Sequence, residues 1–222
     1  MKITKYISLF MVIGGIIAGS AAGLWLSGYG KSHLTTVRSE PLKSLSSAAT
    51  GAEPAHAKGD ENAVVTLEEF ADFECPPCAR LHAELKKLKE EYGESARFVF
   101  RHYPLESHKH AAEAAKAAEA AGMQGKFWEM HNILFERQDE WSSAENTPQL
   151  FVDYARSLAL DIERFKQDMN SEQVNNRVTA DRKRGESIDI EGTPSLFING
   201  KEVSEESMTP EGIRAAIKAA LK

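Results

Sequence analysis

Cysteine is nearly absent from this chain: 222 residues carry two, Cys75 and Cys78. That scarcity excludes a disulfide framework as the source of stability. It also excludes the paired CxxC zinc pattern, since tetrahedral zinc takes four ligands and no second pair exists. A single metal centre would have to recruit His82, one turn after Cys78, and then His102 or His108. A c-type haem needs histidine directly after the second cysteine, where Ala79 stands. A purely structural bridge across two intervening residues closes too small a loop to stabilise much. Reversible dithiol–disulfide chemistry is the favoured reading, with metal binding by the same thiols, or a non-enzymatic binding module, as the alternatives.

Charge is missing from another stretch. Tyr6 to Tyr29 contains no charged residue, and its length meets the roughly 20 residues that a membrane-spanning helix needs. Residues 1–30 are therefore expected to form an N-terminal membrane anchor. A cleaved signal segment is the alternative, with Ser20-Ala21-Ala22 as the small-residue cleavage site. The apolar run continues through Leu24, Trp25 and Leu26, which favours the uncleaved anchor. Residues 31–58 lack periodicity and are rich in Ser, Ala, Thr and Pro, so they read as a flexible linker. Net charge changes sign at this boundary, from +4 over residues 1–58 to −10 over residues 59–222. An acidic domain excludes nucleic acid as a partner, and the short run Arg182-Lys183-Arg184 reads as a solvated helix face.

The two cysteines sit where a strand meets a helix. Val64–Phe70 is rich in β-branched and aromatic residues and predicts a strand. With Cys75 near the N-cap, Pro76 occupies the first helical position, where a missing N–H costs nothing and the fixed φ is already helical. Cys78 then shares a helix face with Cys75, and Leu81, Leu85 and Leu88 continue an apolar stripe as far as Tyr92. The helix dipole would stabilise a Cys75 thiolate, which makes Cys75 the candidate nucleophile and Cys78 the resolving thiol. Pro77 supplies neither charge nor N–H, and Glu74 adds a like charge, so the Cys75 pKa is expected below about 8.5 but well above about 3.5.

Arg97–Arg101 predicts a second strand and closes a βαβ unit. Helical patterns follow over residues 105–187: alanine-dense Ala111–Ala121, the aromatic run Phe127–Phe135, and a helix opening at Thr147-Pro148 with Thr147 as N-cap. Ser195–Ile198 is a short strand, and Asn199-Gly200 is a type I′ hairpin signal leading into Lys201–Val203. Thr209-Pro210 opens a last amphipathic helix bearing Ile213, Ile217 and Leu221 on one face.

This order, with Glu69-Phe-Ala-Asp-Phe-Glu-Cys75-Pro-Pro-Cys78, Gln124-Gly-Lys-Phe-Trp128 and Gly192-Thr-Pro-Ser-Leu-Phe-Ile-Asn199, resembles the DsbA-like family of extracytoplasmic thiol–disulfide oxidoreductases. The resemblance covers nearly all of residues 60–222. It implies an α/β thioredoxin fold (βαβ then ββα) with an inserted helical subdomain, here preceded by the transmembrane segment, and the domain is expected over 59–222. It implies a cis Thr193–Pro194 peptide facing the Cys75 sulfur, in a loop that binds extended substrate backbone. It also implies that Glu69 accepts the Cys78 proton during resolution. Protein substrates with thiols or disulfides and a membrane redox partner are the implied partners, with catalysis on the periplasmic or extracellular side. No cofactor is required. Whether the chain oxidises, reduces or isomerises stays open.

Overall fold

The computed structural model describes residues 42–222. The expected membrane segment, with the first part of the expected linker, lies outside the described residues. Among the described residues no helix is long and apolar enough to cross a membrane.

A five-stranded mixed sheet organises the domain. The strands are β1 (His56–Lys58), β2 (Val65–Ala71), β3 (Ala96–His102), β4 (Ser195–Ile198) and β5 (Lys201–Glu202), in the order β1-β3-β2-β4-β5. β2 and β3 run parallel, whereas β1, β4 and β5 pair antiparallel to their neighbours. The two central strands are buried along almost their whole length, the pattern expected where layers cover both faces of a sheet.

The βαβ opening forms as the sequence predicts. Helix α1 spans Pro76–Tyr92 with Cys75 at its N-cap, and Leu81, Leu85 and Leu88 are buried. They pack with Val65, Leu67 and Ile198 of the sheet and with Ile213 and Ile217 of the last helix, α8 (Pro210–Ala220). Thr209 caps α8 through its hydroxyl, which accepts from the Gly212 N–H at 3.1 Å. The β4–β5 turn has positive φ at Asn199 and Gly200, as a type I′ hairpin requires.

Six helices fill the space between β3 and β4. They are α2 (Ala111–Gly122), α3 (Phe127–Glu136), α4 (Gln138–Trp141), α5 (Thr147–Ser157), α6 (Ile162–Met169) and α7 (Glu172–Glu186). α2 runs through their middle. Seven of its alanines are buried, and side chains this small let α3, α6 and α7 approach its axis closely. Thr147 is the first residue of α5 rather than its cap. Its hydroxyl donates to the Trp141 and Ala144 carbonyls instead, each at 3.3 Å.

Two expectations fail here. The linker was expected to be flexible to residue 58, but residues 42–58 belong to the fold. β1 pairs with β3, Leu45 N–H donates to the Gly200 carbonyl at 2.8 Å, and Ala52 is buried. Ser, Ala and Pro hide this because the segment is held by backbone and by a few hydrogen bonds, which leave no hydrophobic periodicity. The run 182–184 is not simply solvated either. Arg184 grips Glu68 with Nε and Nη2 at 2.7 and 3.1 Å, and Arg101 bridges Glu68 and Asp181 at 2.8 and 3.0 Å. A buried ion cluster thereby joins β2, β3 and α7.

Candidate functional site

Cys75 and Cys78 lie at the N-terminus of α1 as free thiols, both buried. Pro76 and Pro77 between them are exposed. Neither proline has an N–H, so among the first-turn amides the one that serves the sulfur is that of Cys78. The Cys75 thiol donates to the Thr193 carbonyl at 3.3 Å. The Thr193–Pro194 peptide is cis, as the resemblance implied, and Thr193 is the residue of this loop that touches the nucleophile.

The two thiols have opposite proton affinities. Cys75 is pulled down to about 6, first by hydrogen bonding from Cys78 and then by Thr193 and the Cys78 amide. Burial pushes Cys78 well above the usual thiol range, and its bond to Cys75 adds to this. The Thr193 hydroxyl is buried without a partner while the thiol is protonated. A thiolate gives it one. The carboxylate that opposes the Cys75 charge is Asp72, not the expected Glu74. Glu74 turns away and accepts from the His110 N–H at 2.5 Å.

Glu69 stands on β2 between Phe100 and Leu196. It is 6% exposed, and its Oε1 has no hydrogen-bond partner. Burial raises its pKa to about 7, with the Lys89 charge opposing and the Cys75 charge reinforcing. Beside it is a cavity of about 10 Å³ lined by Leu85, Lys89, Phe98 and Trp128, room for about one water.

Residues that gave no sequence signal hold the site in place. Gln138 of α4 donates to the Phe73 and Cys75 carbonyls at 2.6 and 3.0 Å, fixing the active-site turn to the inserted helices. Asp72 accepts from Glu74 N–H at 2.7 Å, from Leu105 N–H at 2.8 Å and from His108 Nδ1 at 2.7 Å. A lone Gln and one acid in an acidic stretch carry no pattern, so neither was identifiable in advance.

The metal alternative needs His82 with His102 or His108 near both thiols, and His102 and His108 are engaged elsewhere. His108 serves Asp72, and His102 Nε2 lies 3.0 Å from Glu119. Among the described residues one cluster of three potential ligands converges: His56, His102 and Glu119. Arg177 Nε already donates to Glu119 at 2.7 Å, and its fixed positive charge opposes a cation there. The cluster works as a hydrogen-bond hub joining β1, β3, α2 and α7.

An open groove of about 620 Å³ runs beside the thiols, walled by Pro77, Arg80, Thr193 and Pro194 and by the acids Glu191 and Glu205.

A family model described as thioredoxin matches residues 52–219. The chain belongs to the thioredoxin family. Oxidised BdbD from Bacillus subtilis is 26% identical, with a TM-score of 0.68 over 78% of this chain and 98% of that one. A thioredoxin-like oxidoreductase from Silicibacter pomeroyi is 28% identical, with a TM-score of 0.61 over 74% and 92% of the two chains. The α-DsbA1 protein of Wolbachia pipientis shares the fold, with a TM-score of 0.65 at 20% identity over 76% and 92%. Curated relatives include the Na⁺/H⁺ antiporter NhaA 1 of Mycolicibacterium vanbaalenii, 42% identical over 150 residues. That match takes in 65% of this chain but 23% of the antiporter, so the chain spans under a quarter of the curated relatives' length. The likeness is confined to the thioredoxin domain.

Proposed function

We propose that this protein is an extracytoplasmic thiol–disulfide oxidoreductase that exchanges a Cys75–Cys78 disulfide with protein substrates. The observation that carries the reading is the split between an acidic thiol at the helix terminus, touching the cis-proline loop, and a buried partner thiol of high proton affinity. A nucleophile and a resolving thiol need that asymmetry.

In the oxidising direction a substrate thiolate attacks Cys75 Sγ. The S–S bond breaks, and Cys78 leaves and takes up a proton, which Glu69 in its acid form supplies. A second substrate thiolate then attacks the substrate sulfur of the mixed disulfide and releases the Cys75 thiolate. The reducing direction runs the same steps backward: Cys75 attacks, Glu69 takes the Cys78 proton, and Cys78 displaces the substrate thiolate. Thr193 and Pro194 offer backbone beside the sulfur to an extended substrate, as an exposed sheet edge accepts a strand. A redox partner must restore the starting state.

Placement outside the cytosol rests on the charge-free stretch 6–29 and on the compartments where disulfides persist. Tethering through that stretch would hold the domain beside a membrane redox partner.

Trapping tests the chemistry. The full chain carrying Cys78→Ser should attack a disulfide-linked peptide, release one peptide thiol and accumulate the mixed disulfide at Cys75, whereas Cys75→Ser should form none and lose exchange with reduced ribonuclease. Exchange that survives in Cys75→Ser would sink the proposal. The potential gives the direction. A thiol at about 6 lies between the strongest oxidants at about 3.5 and thioredoxin at about 7. A value between about −120 and −270 mV is therefore expected in glutathione buffers.

A further inference from the structure

Asp72 and His108 form a pair beside the thiols that no exchange step uses. Asp72 lies between β2 and α1, three residues before Cys75, and its side chain is fully buried. Three donors hold it. Oδ1 accepts from the Glu74 N–H at 2.7 Å, and Oδ2 accepts from the Leu105 N–H at 2.8 Å. The third donor is a side chain, His108 Nδ1, at 2.7 Å from Oδ2. His108 comes from the loop between β3 and α2, and its side chain is 26% exposed. Of the three donors it alone can carry a charge.

Asp72 reaches both thiols. Its carbonyl accepts from the Cys75 N–H at 3.2 Å, and its amide serves the Cys78 sulfur. Its carboxylate opposes the Cys75 charge. A carboxylate near a nucleophile that works as a thiolate disfavours the working form, unless that negative charge is met from its other side. Two amides orient the carboxylate and bring no net charge. An imidazolium on the same oxygen makes a charge-assisted bond and leaves the pair neutral.

We propose that His108 is a positioning residue for disulfide exchange: acting through Asp72, it screens Cys75 from a buried carboxylate and so sets how strongly the reduced form is favoured. This rests on Cys75 as the nucleophile. Neither Asp72 nor His108 lines the groove beside the thiols, so the effect falls on the sulfur and is the same for every substrate.

Other titratable and charged groups share this corner. Cys75 and Cys78 face Asp72 from α1. Glu74 accepts from the His110 N–H, and His110 Nδ1 lies 3.9 Å from Glu113 of α2. Glu106, on the His108 loop, is held by Arg182 of α7 at 2.9 Å. Lys109 is exposed.

The test is a mutant cycle in the full chain, reading Cys75 alkylation from pH 4 to 9 and the thiol–disulfide equilibrium in glutathione buffers at pH 7. The wild-type midpoint is expected near 6. His108→Leu should raise it by about half a pH unit, as loss of a counter-charge predicts. The same variant should shift the glutathione equilibrium about threefold towards the protein disulfide. His108→Lys, which keeps a cation, should restore both. Asp72→Asn should lower the midpoint, and His108→Leu added to it should leave the midpoint where it is. A His108→Leu midpoint equal to wild type, with only a lowered urea midpoint, would make the residue structural and overturn the proposal. A His108→Lys midpoint as high as that of His108→Leu would overturn it as well, and so would an equal rise with and without the Asp72 carboxylate. Exchange surviving in Cys75→Ser would instead sink the reading beneath it, whatever the titrations show.

Discussion

Cys75 draws its acidity from three groups on two residues, the Cys78 thiol, the Thr193 hydroxyl and the Cys78 amide, and the two side chains are separable by substitution. Alkylation of the reduced protein should titrate with a midpoint near pH 6, and Thr193→Val should move it up by removing the hydroxyl that a thiolate partners. A midpoint near 8.5 in wild type would mean an unperturbed thiol. Because the folded pKa is depressed, the thiolate stabilises the reduced fold above the unfolded value near 9, and that contribution fades as pH falls through about 6. Glu69 has the opposite sign. Its folded pKa of about 7 exceeds the unfolded 4.5, so it weakens the fold progressively from pH 4.5 to 7. Glu69→Gln should therefore raise stability at pH 8 by about 2–3 kcal/mol in chemical denaturation, while impairing resolution. Activity and stability are opposed at this one carboxyl.

At the scale of elements, the buried ion cluster is the most sensitive junction. Arg101 is 5% exposed and holds Glu68, Asp181 and the Ala52 carbonyl together. Arg101→Met leaves two buried carboxylates short of a partner and should cost about 3–5 kcal/mol, read as a lowered urea midpoint with unchanged slope. Elements whose cues are local were legible in the sequence. The leucine stripe of α1, the β-branched run of β2, Asn199-Gly200 and Thr209-Pro210 each encode their structure within a few residues, and the strand–CxxC–helix order with Thr193-Pro194 located the thiols and their facing loop. What stayed hidden depends on distant partners. β1 exists because β3 is beside it, Arg184 is half-buried because Glu68 lies across α7, and Gln138 matters because Phe73 and Cys75 present carbonyls to it. No window of sequence contains both halves of such a contact.

For the molecule as a whole, the inserted helices and the sheet meet over buried histidines. His82 is held neutral at about 4 and His131 well below its ordinary value, both by burial. A histidine whose folded pKa is lowered stabilises the protein above its unfolded value of 6.5, and that stabilisation is lost as pH falls from 6.5 towards 4. Over nearly the same window Glu69 gains stability, so it offsets part of what His82 and His131 lose as pH falls from 7 to 5. Removing Glu69 exposes the slope: Glu69→Gln should lose stability more steeply than wild type between pH 7 and 5, and adding His82→Phe should take about 2 kcal/mol off that loss, leaving the share that belongs to His131. Melts at the two pH values decide this, and a slope unchanged by His82→Phe would assign it elsewhere.

The segment leading into the domain touches the sheet at both sides. Lys43 and Leu45 bond to Glu202 and Gly200 beyond β4, and His56–Lys58 lie along β3. The chain thus occupies its own templating positions: residues 43–45 cover β5, and the other margin is the three-residue β1. Such self-coverage guards a sheet margin against pairing with another chain. Under the proposed function a client would find a sulfur and a loop to engage, but little free backbone on which to begin an intermolecular stack.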